Sequence, residues 1–267
     1  MTTIKELSNL TNRRALITGA TGGLGKVMAE TLAELGANLL LVDRDDAELI
    51  SLTERLSTQW KVNIEYQVCD LEQQDQRDEL ISTIKDRKIG INVLINNAAF
   101  VGTSDLKGWA VPFEQQTIET WRRALEVNLT AIFDLCQKLS PILKQEQGAN
   151  IINISSIYGL YGPDWSLYKE TTMANSAAYN ASKGGLLQLT RWLATTVAPN
   201  IRVNAISPGG IFRNQPKVFV SRYEEKTPLG RMGTEDDFRG AVAYLASDLS
   251  KYVTGQNLII DGGWGVW

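Results

Sequence analysis

Short runs of aliphatic and β-branched residues alternate along this chain with longer stretches in which apolar side chains return every three or four positions. Runs over 15–18, 38–42, 64–68, 93–95, 151–154, 202–206 and 258–260 predict strands, and stretches near 24–35, 45–58, 72–88, 117–145, 178–197 and 235–246 predict helices. The strand runs are continuously apolar, as expected of strands buried on both faces, and helices separate them. The pattern therefore predicts an α/β, doubly wound fold: a seven-stranded parallel sheet with helices on both faces. No repeat, low-complexity tract or Pro/Gly linker interrupts the pattern, so one domain is expected over 1–267.

Composition narrows what such a fold could do. With 267 residues, 43% hydrophobic and 21% charged, the chain is long enough to bury one sizeable core. A net charge of -3 argues against a nucleic-acid partner. No apolar run approaches the roughly 20 residues that span a bilayer, and the polar stretch 1–14 is unlike a signal peptide, so no membrane partner and a cytoplasmic location are expected. Cys69 and Cys136 sit in apolar surroundings and are expected to be core thiols. The chain has no histidine, which excludes a Ser-His-Asp triad and leaves a catalytic zinc site, or any other metal site, short of good ligands. Acid-base work must fall to Tyr, Lys, Asp or Glu.

Two stretches point to chemistry. The first predicted strand runs into Thr18-Gly19-Ala20-Thr21-Gly22-Gly23-Leu24-Gly25, and a helix follows at once. Glycines at 19, 23 and 25 permit a tight turn and close approach of the backbone to a pyrophosphate, which then lies against the helix amino terminus. Asp43 ends the second strand, 18 residues beyond Gly25, where a dinucleotide fold places the acid that accepts hydrogen bonds from the adenosine ribose. Its charge disfavours a 2'-phosphate, so NAD is expected over NADP. Two features leave alternatives open: Arg44 is able to clamp a 2'-phosphate, and Asp43 is also a suitable N-cap for the next helix.

The second stretch is Tyr179-Asn180-Ala181-Ser182-Lys183, which sets a phenol and an ammonium four residues apart on one helix face. A tyrosine hydroxyl titrates near 10, so acid-base work at neutral pH requires lowering it by roughly 3 units, about 4 kcal/mol. A cation at ~4 Å supplies roughly that at an effective dielectric near 20. The expectation is a phenol brought within reach by Lys183.

Taken together, Thr18-Gly19-x-x-x-Gly23-x-Gly25, Asn96-Asn97-Ala98-Ala99, Ser155-Ser156, Tyr179-x-x-x-Lys183 and Asp261-Gly262-Gly263 resemble the short-chain dehydrogenase/reductase family over nearly the whole chain. The resemblance implies a Rossmann fold with a cofactor half over about 12–155 and substrate-side loops over about 157–178 and 208–234. It implies hydride transfer between a nicotinamide and a secondary alcohol or ketone, with catalytic Asn128, Ser156, Tyr179 and Lys183. Ser156 would bond the substrate carbonyl beside a structural Ser155, Tyr179 would be the acid-base, and Lys183 would also hold the nicotinamide ribose. Asn128, a poor helix former inside a predicted helix, would kink the backbone and hold a relay water.

The implied cofactor contacts are Gly19, Thr21, Gly23, Leu24, Gly25, Asp43, Arg44, Asp70, Leu71, Asn97, Ala98, Ala99, Tyr179, Lys183, Pro208, Gly209 and Ile211, with no metal site. Asp70 would meet the adenine ring or else cap a helix. Ala99 stands where the family usually has glycine.

Substrate-side features depart further from the family pattern. Arg213 replaces a common threonine and puts a cation at the expected substrate mouth, where Arg213, with Arg222 or Lys217, would meet an anionic or hydroxylated small-molecule substrate. Ser156, Tyr158 and Arg213 are the expected substrate contacts. The interval from Ser156 to Tyr179 is 23 residues, longer than the family commonly shows. The extra residues, centred on 160–170, are aromatic and polar and suit a carbohydrate, or else form a lid packed on itself. With the tail 262–267 they are similar to sugar-active members such as gluconate dehydrogenases and oxidoreductases of amino-sugar and flagellin-glycan pathways. The tail could equally belong to a subunit contact, since the resemblance implies a homotetramer or homodimer. A 3-oxoacyl-carrier-protein reductase-like enzyme and a non-catalytic dinucleotide-binding protein are the alternative functions.

Overall fold

The structure, a computed structural model, describes residues 1–101 and 106–267. Strands β1 (Arg14–Thr18), β2 (Asn38–Asp43), β3 (Ile64–Val68), β4 (Val93–Asn96), β5 (Asn150–Ile154), β6 (Arg202–Pro208) and β7 (Asn257–Ile260) form one seven-stranded parallel sheet in the order β3-β2-β1-β4-β5-β6-β7. Every predicted strand is present, within two residues of its expected ends. The helices are α1 (Ile4–Ser8), α2 (Gly23–Glu34), α3 (Asp46–Trp60), α4 (Gln74–Asp86), α5 (Ile118–Leu125), α6 (Ala131–Leu143), α7 (Ala177–Thr196), α8 (Lys217–Lys226) and α9 (Arg239–Ala246).

Two apolar layers sandwich the sheet. On one side Met28 and Leu32 of α2, Leu49 and Leu56 of α3 and Val242 of α9 pack on Ile17, Leu41 and Ile95. On the other, Leu80 of α4, Leu135 of α6 and Leu186 of α7 pack on Leu16, Leu94 and Ile151. Alternate residues of each central strand thus serve opposite layers, and β4 and β5 are buried throughout. Each such Leu or Ile contributes roughly 1.5–3 kcal/mol relative to exposure. The order in which strands are added across the sheet reverses between β1 and β4, which opens a crevice at the carboxyl ends of these strands.

Three elements differ from the sequence pattern. The stretch 117–145 is not one helix: Glu126–Thr130 forms a π turn between α5 and α6, in which the Ala131 N–H bonds Glu126 O. Periodicity reports which face is apolar and is blind to a one-residue slip of the ladder. α8 lies inside the expected loop 208–234, its apolar Phe219 and Tyr223 one turn apart. α1 is a five-residue turn closed by a Thr3–Glu6 capping box. Among the described residues no helix is long and apolar enough to cross a membrane.

Candidate active site

The crevice is lined first by the turn after β1. Gly19 adopts φ 64°, and a Cβ there would stand 2.7 Å from Ala98 Cα. A Cβ on Gly25 would stand 2.1 Å from Gly19 O, so the turn and α2 close on each other only with glycine at both places. Gly22 caps α2 with no side-chain acceptor, leaving first-turn N–H groups available to an anion. Asn97 fastens the turn from the neighbouring strand: its Nδ2 donates to Thr18 O at 3.0 Å and Gly19 O at 2.8 Å, and its N–H to Thr18 Oγ1 at 3.1 Å. Beneath it, Asn96 Nδ2 donates to Asn153 Oδ1 at 2.8 Å and Asn153 Nδ2 to Thr190 Oγ1 at 2.9 Å, joining β4, β5 and α7.

At the carboxyl end of β2, Asp43 Oδ2 accepts from the N–H and hydroxyl of Thr21, at 2.9 and 2.7 Å, and its Oδ1 accepts from Arg44 N–H at 2.7 Å. The carboxylate is thus held at the crevice rim. It is Asp45 that caps α3, accepting from Glu48 N–H, so the capping alternative for Asp43 is set aside. The same holds for Asp70, whose carboxylate accepts from Glu72 N–H at 3.0 Å, while Gln73 occupies the N-cap of α4.

α7 brings Tyr179 and Lys183 to the far end of the crevice. Lys183 is 1% exposed; its Nζ donates to Ile154 O at 2.7 Å and stands over the Tyr179 ring, 5.7 Å from the centroid. The two serines after β5 do different things. Ser155 Oγ donates to Lys183 O at 2.9 Å, tying α7 to the sheet, while Ser156 Oγ accepts from Tyr158 N–H at 3.1 Å and lies beside the phenol. Asn128, fully buried in the π turn, accepts from Phe100 N–H at 2.6 Å and donates to Phe100 O and Ser182 Oγ, each at 3.1 Å.

The result is one cleft of about 540 Å³. Gly19, Thr21, Gly23, Leu24, Asp43, Arg44, Asp70, Leu71, Asn97, Ala98, Ala99, Ser156, Tyr179, Lys183, Pro208, Gly209, Ile211 and Arg213 all line it. Of the expected set, Gly25 lies behind the turn, Asn128 behind Phe100, and Tyr158 outside the cleft lining. A glycine cradle that any Cβ would fill, a helix amino terminus and a fixed carboxylate fit a dinucleotide along this cleft.

The electrostatics at the catalytic end differ from the expectation. Burial pushes the Tyr179 phenol up, opposed by the adjacent Ser156 hydroxyl and the charge of Arg213. Burial also lowers the Lys183 ammonium from 10.5 to about 8. The reading that Lys183 alone brings the phenol toward neutrality is therefore corrected. The ammonium faces the ring and a carbonyl, and burial, which disfavours the charged form of both groups, is the largest influence on each.

Comparison with known proteins agrees with this geometry. A family model described as enoyl-(acyl carrier protein) reductase matches residues 19–265. A tropinone reductase homolog of Arabidopsis thaliana is 35% identical over 269 residues, covering 97% of this chain and 94% of the relative. The chain belongs to the short-chain dehydrogenase/reductase family. It is accordingly an oxidoreductase of CH–OH groups with a Rossmann-like, NAD(P)-binding fold. A gluconate 5-dehydrogenase from Burkholderia cenocepacia, solved with NADP and tartrate, superposes with a TM-score of 0.87 at 27% identity, covering 99% of this chain and all of that one. A short-chain dehydrogenase from Leptospira borgpetersenii with bound NAD+ superposes at 0.83 with 34% identity, covering 99% and 96%.

This short-chain dehydrogenase/reductase differs from the sequence reading on its substrate side. The stretch 160–170 neither packs only on itself nor presents a stack of open rings. Tyr168 meets Phe219 of α8 at 5.5 Å and its hydroxyl lies 2.5 Å from that of Tyr158, while Asp164, paired with Lys226 and bonded to Ser166, is held down to about 2. Tyr158 is thus joined to this cluster through its hydroxyl, outside the cleft lining. Trp264 of the tail stacks on Tyr223 at 5.9 Å under Lys226, and only Val266 and Trp267 stay exposed beyond it. Arg222 bonds Lys169 O and Glu170 instead of reaching the cleft. Arg213 lines the cleft, but over Gly23 of α2.

Sequence reasoning missed Val42, Cys69 and Ile154, which line the cleft because they lie at or next to the carboxyl ends of β2, β3 and β5, a rule that could have named them. It also missed Phe100, which Arg123 covers at 4.9 Å, and Gln215, whose side chain brackets the turn by bonding Ile211 O and Arg213 N–H. No local motif marks either. Both cysteines are buried, with thiols pushed up to about 12, as expected of core thiols.

Proposed function

We propose that this enzyme uses NAD to interconvert a secondary alcohol and a ketone on a sugar-derived substrate, a polyol, aldonate or amino sugar. The observation that carries the reading is that Ser156, Tyr179 and Lys183 share one continuous cleft with the glycine turn and Asp43. The preference for NAD rests on the Asp43 carboxylate, which Thr21 holds at the rim against a 2'-phosphate. The preference for a hydroxylated substrate rests on the polar wall of Ser156 and Gln215 and on the likeness to a gluconate 5-dehydrogenase.

When bound, oxidised nicotinamide supplies the hydride-accepting carbon and a positive charge near the phenol. Ser156 Oγ donates to the substrate oxygen and orients it. As phenolate, Tyr179 would take the hydroxyl proton as hydride leaves the same carbon, becoming the phenol that returns this proton in the reverse direction. Lys183, when protonated, supplies a cation over the ring and donors for the ribose hydroxyls. Asn128 holds the Phe100 backbone against the cleft through two hydrogen bonds and ties it to α7 through a third, to Ser182 Oγ, a positioning role. Assembly as a homotetramer or homodimer is part of the same reading, supported by exposed Ile118 and Trp121 on α5, Phe133 on α6, Trp192 on α7 and Leu258 and Ile259 on β7.

The test is NADH formation across polyols, aldonates and amino sugars, with an acetoacetyl thioester reduced by NADH as the opposing arm. Turnover confined to the thioester would overturn the substrate assignment. The Tyr179→Phe variant should lose about 10²–10⁴ in kcat with NAD affinity retained, and unchanged turnover would overturn the acid-base role.

A further inference from the structure

Arg213 leaves the turn after β6 with its N–H donating to Gln215 Oε1 at 2.7 Å, and its side chain is 55% exposed. The guanidinium folds back across the cleft onto α2. A Cβ built on Gly23 would stand 2.9 Å from Arg213 Nη2 and 2.8 Å from Glu235 Oε1, and the two side chains pair at 3.2 Å. Gly23 is the first residue of α2, where unpaired N–H groups and the helix dipole favour an anion. A dinucleotide extended from Asp43 to Tyr179 has its pyrophosphate at this point.

Glu235 makes the arrangement unusual, because a carboxylate stands over a helix end built for phosphate and must repel it. The guanidinium presently satisfies that carboxylate, yet its planar donor fork suits phosphate oxygens equally well. The same cation acts on the Tyr179 phenol from across the cleft, so it stands between the two ends of the site. Arg222 and the 160–170 stretch pair with each other elsewhere, so they do not compete for this position.

We infer that Arg213 is a pyrophosphate-binding residue and that Glu235 is its competing partner, so that cofactor binding trades an Arg213–Glu235 pair for an Arg213–pyrophosphate one. The inference rests on the reading of the cleft as a dinucleotide site. Glu235 then weakens cofactor binding, and Arg213 strengthens it independently of which substrate is present.

Calorimetric titration of the full chain with ADP-ribose, and separately with adenosine, tests this without turnover. Arg213→Gln should raise the ADP-ribose dissociation constant about tenfold, with Arg213→Lys intermediate, and Glu235→Gln should lower it several-fold. Adenosine, lacking phosphate, should bind all four proteins alike, and raising salt should weaken ADP-ribose binding less in Arg213→Gln than in the parent. Equal ADP-ribose affinity in Arg213→Gln and the parent, or weaker binding in Glu235→Gln, would overturn the inference. A raised KM for an anionic substrate with ADP-ribose binding intact would do the same, by assigning the cation to substrate. Failure of the parent protein to bind ADP-ribose at all would overturn the dinucleotide reading as well.

Discussion

Replacing Lys183 with methionine should make the ligand-free protein more stable at neutral pH while removing its activity. Methionine matches the length of the aliphatic stem and carries no charge. Burial lowers the ammonium from 10.5 to about 8, so holding it protonated at pH 7 costs the fold roughly 3 kcal/mol. The variant also loses the Nζ donor to Ile154 O at 2.7 Å, and a carbonyl left unpaired costs about 1–3 kcal/mol. The charge wins by about 1 kcal/mol, which raises the melting temperature by about 2–4 °C. The pH dependence gives the sharper check. Between about 8 and 10.5 the unfolded chain binds a proton that the folded one has shed, so parent stability gains with pH across this window. Parallel thermal melts at pH 7 and pH 10 should therefore show the variant ahead at the lower pH and behind at the higher. A constant difference, or a parent protein ahead at pH 7, would refute the account of a destabilising buried cation. A stabilised, inactive variant is the exchange of stability for function expected where a charge is held in a site for catalysis.

Removing the Asp43 carboxylate by Asp43→Ala should shift the ratio of kcat/KM towards NADP by tenfold or more, and an unchanged ratio would sink the NAD assignment. Thr21→Val, which deletes one of the donors to Asp43 Oδ2, should produce a smaller shift of the same sign, read in the same assay. Gly25→Ala forces a Cβ to 2.1 Å from Gly19 O and should cost at least about 1–3 kcal/mol in denaturant unfolding, together with weaker ADP-ribose binding. Preserved binding and stability there would mean that the turn and α2 can separate freely.

Much of the molecule is written in short intervals of sequence. Strand runs, helical periods, the glycine turn and the Tyr179–Lys183 spacing each depend on residues within about one or two turns of one another, so backbone sterics and side-chain period determine them locally. Assembly of the crevice followed too, because strands covered on both faces and linked by helices leave few topologies. Asp43 and Asn97 accordingly stand at the crevice, with Asn96 beneath them in the sheet.

Tertiary structure decided what those groups experience. Whether a phenol and an ammonium are strengthened or penalised depends on the water removed by elements far away in the chain, and here burial raises one and lowers the other. The slip of the helix at Asn128 answers to Phe100 and Ser182, and the aromatic stretch after Ser156 answers to α8 and Trp264. Arg213 reaches Gly23 across the sheet, a contact between residues about 190 positions apart that no local pattern encodes. Periodicity and propensity act over a few residues, whereas desolvation and charge pairing act through space, and only packing brings those distant groups together.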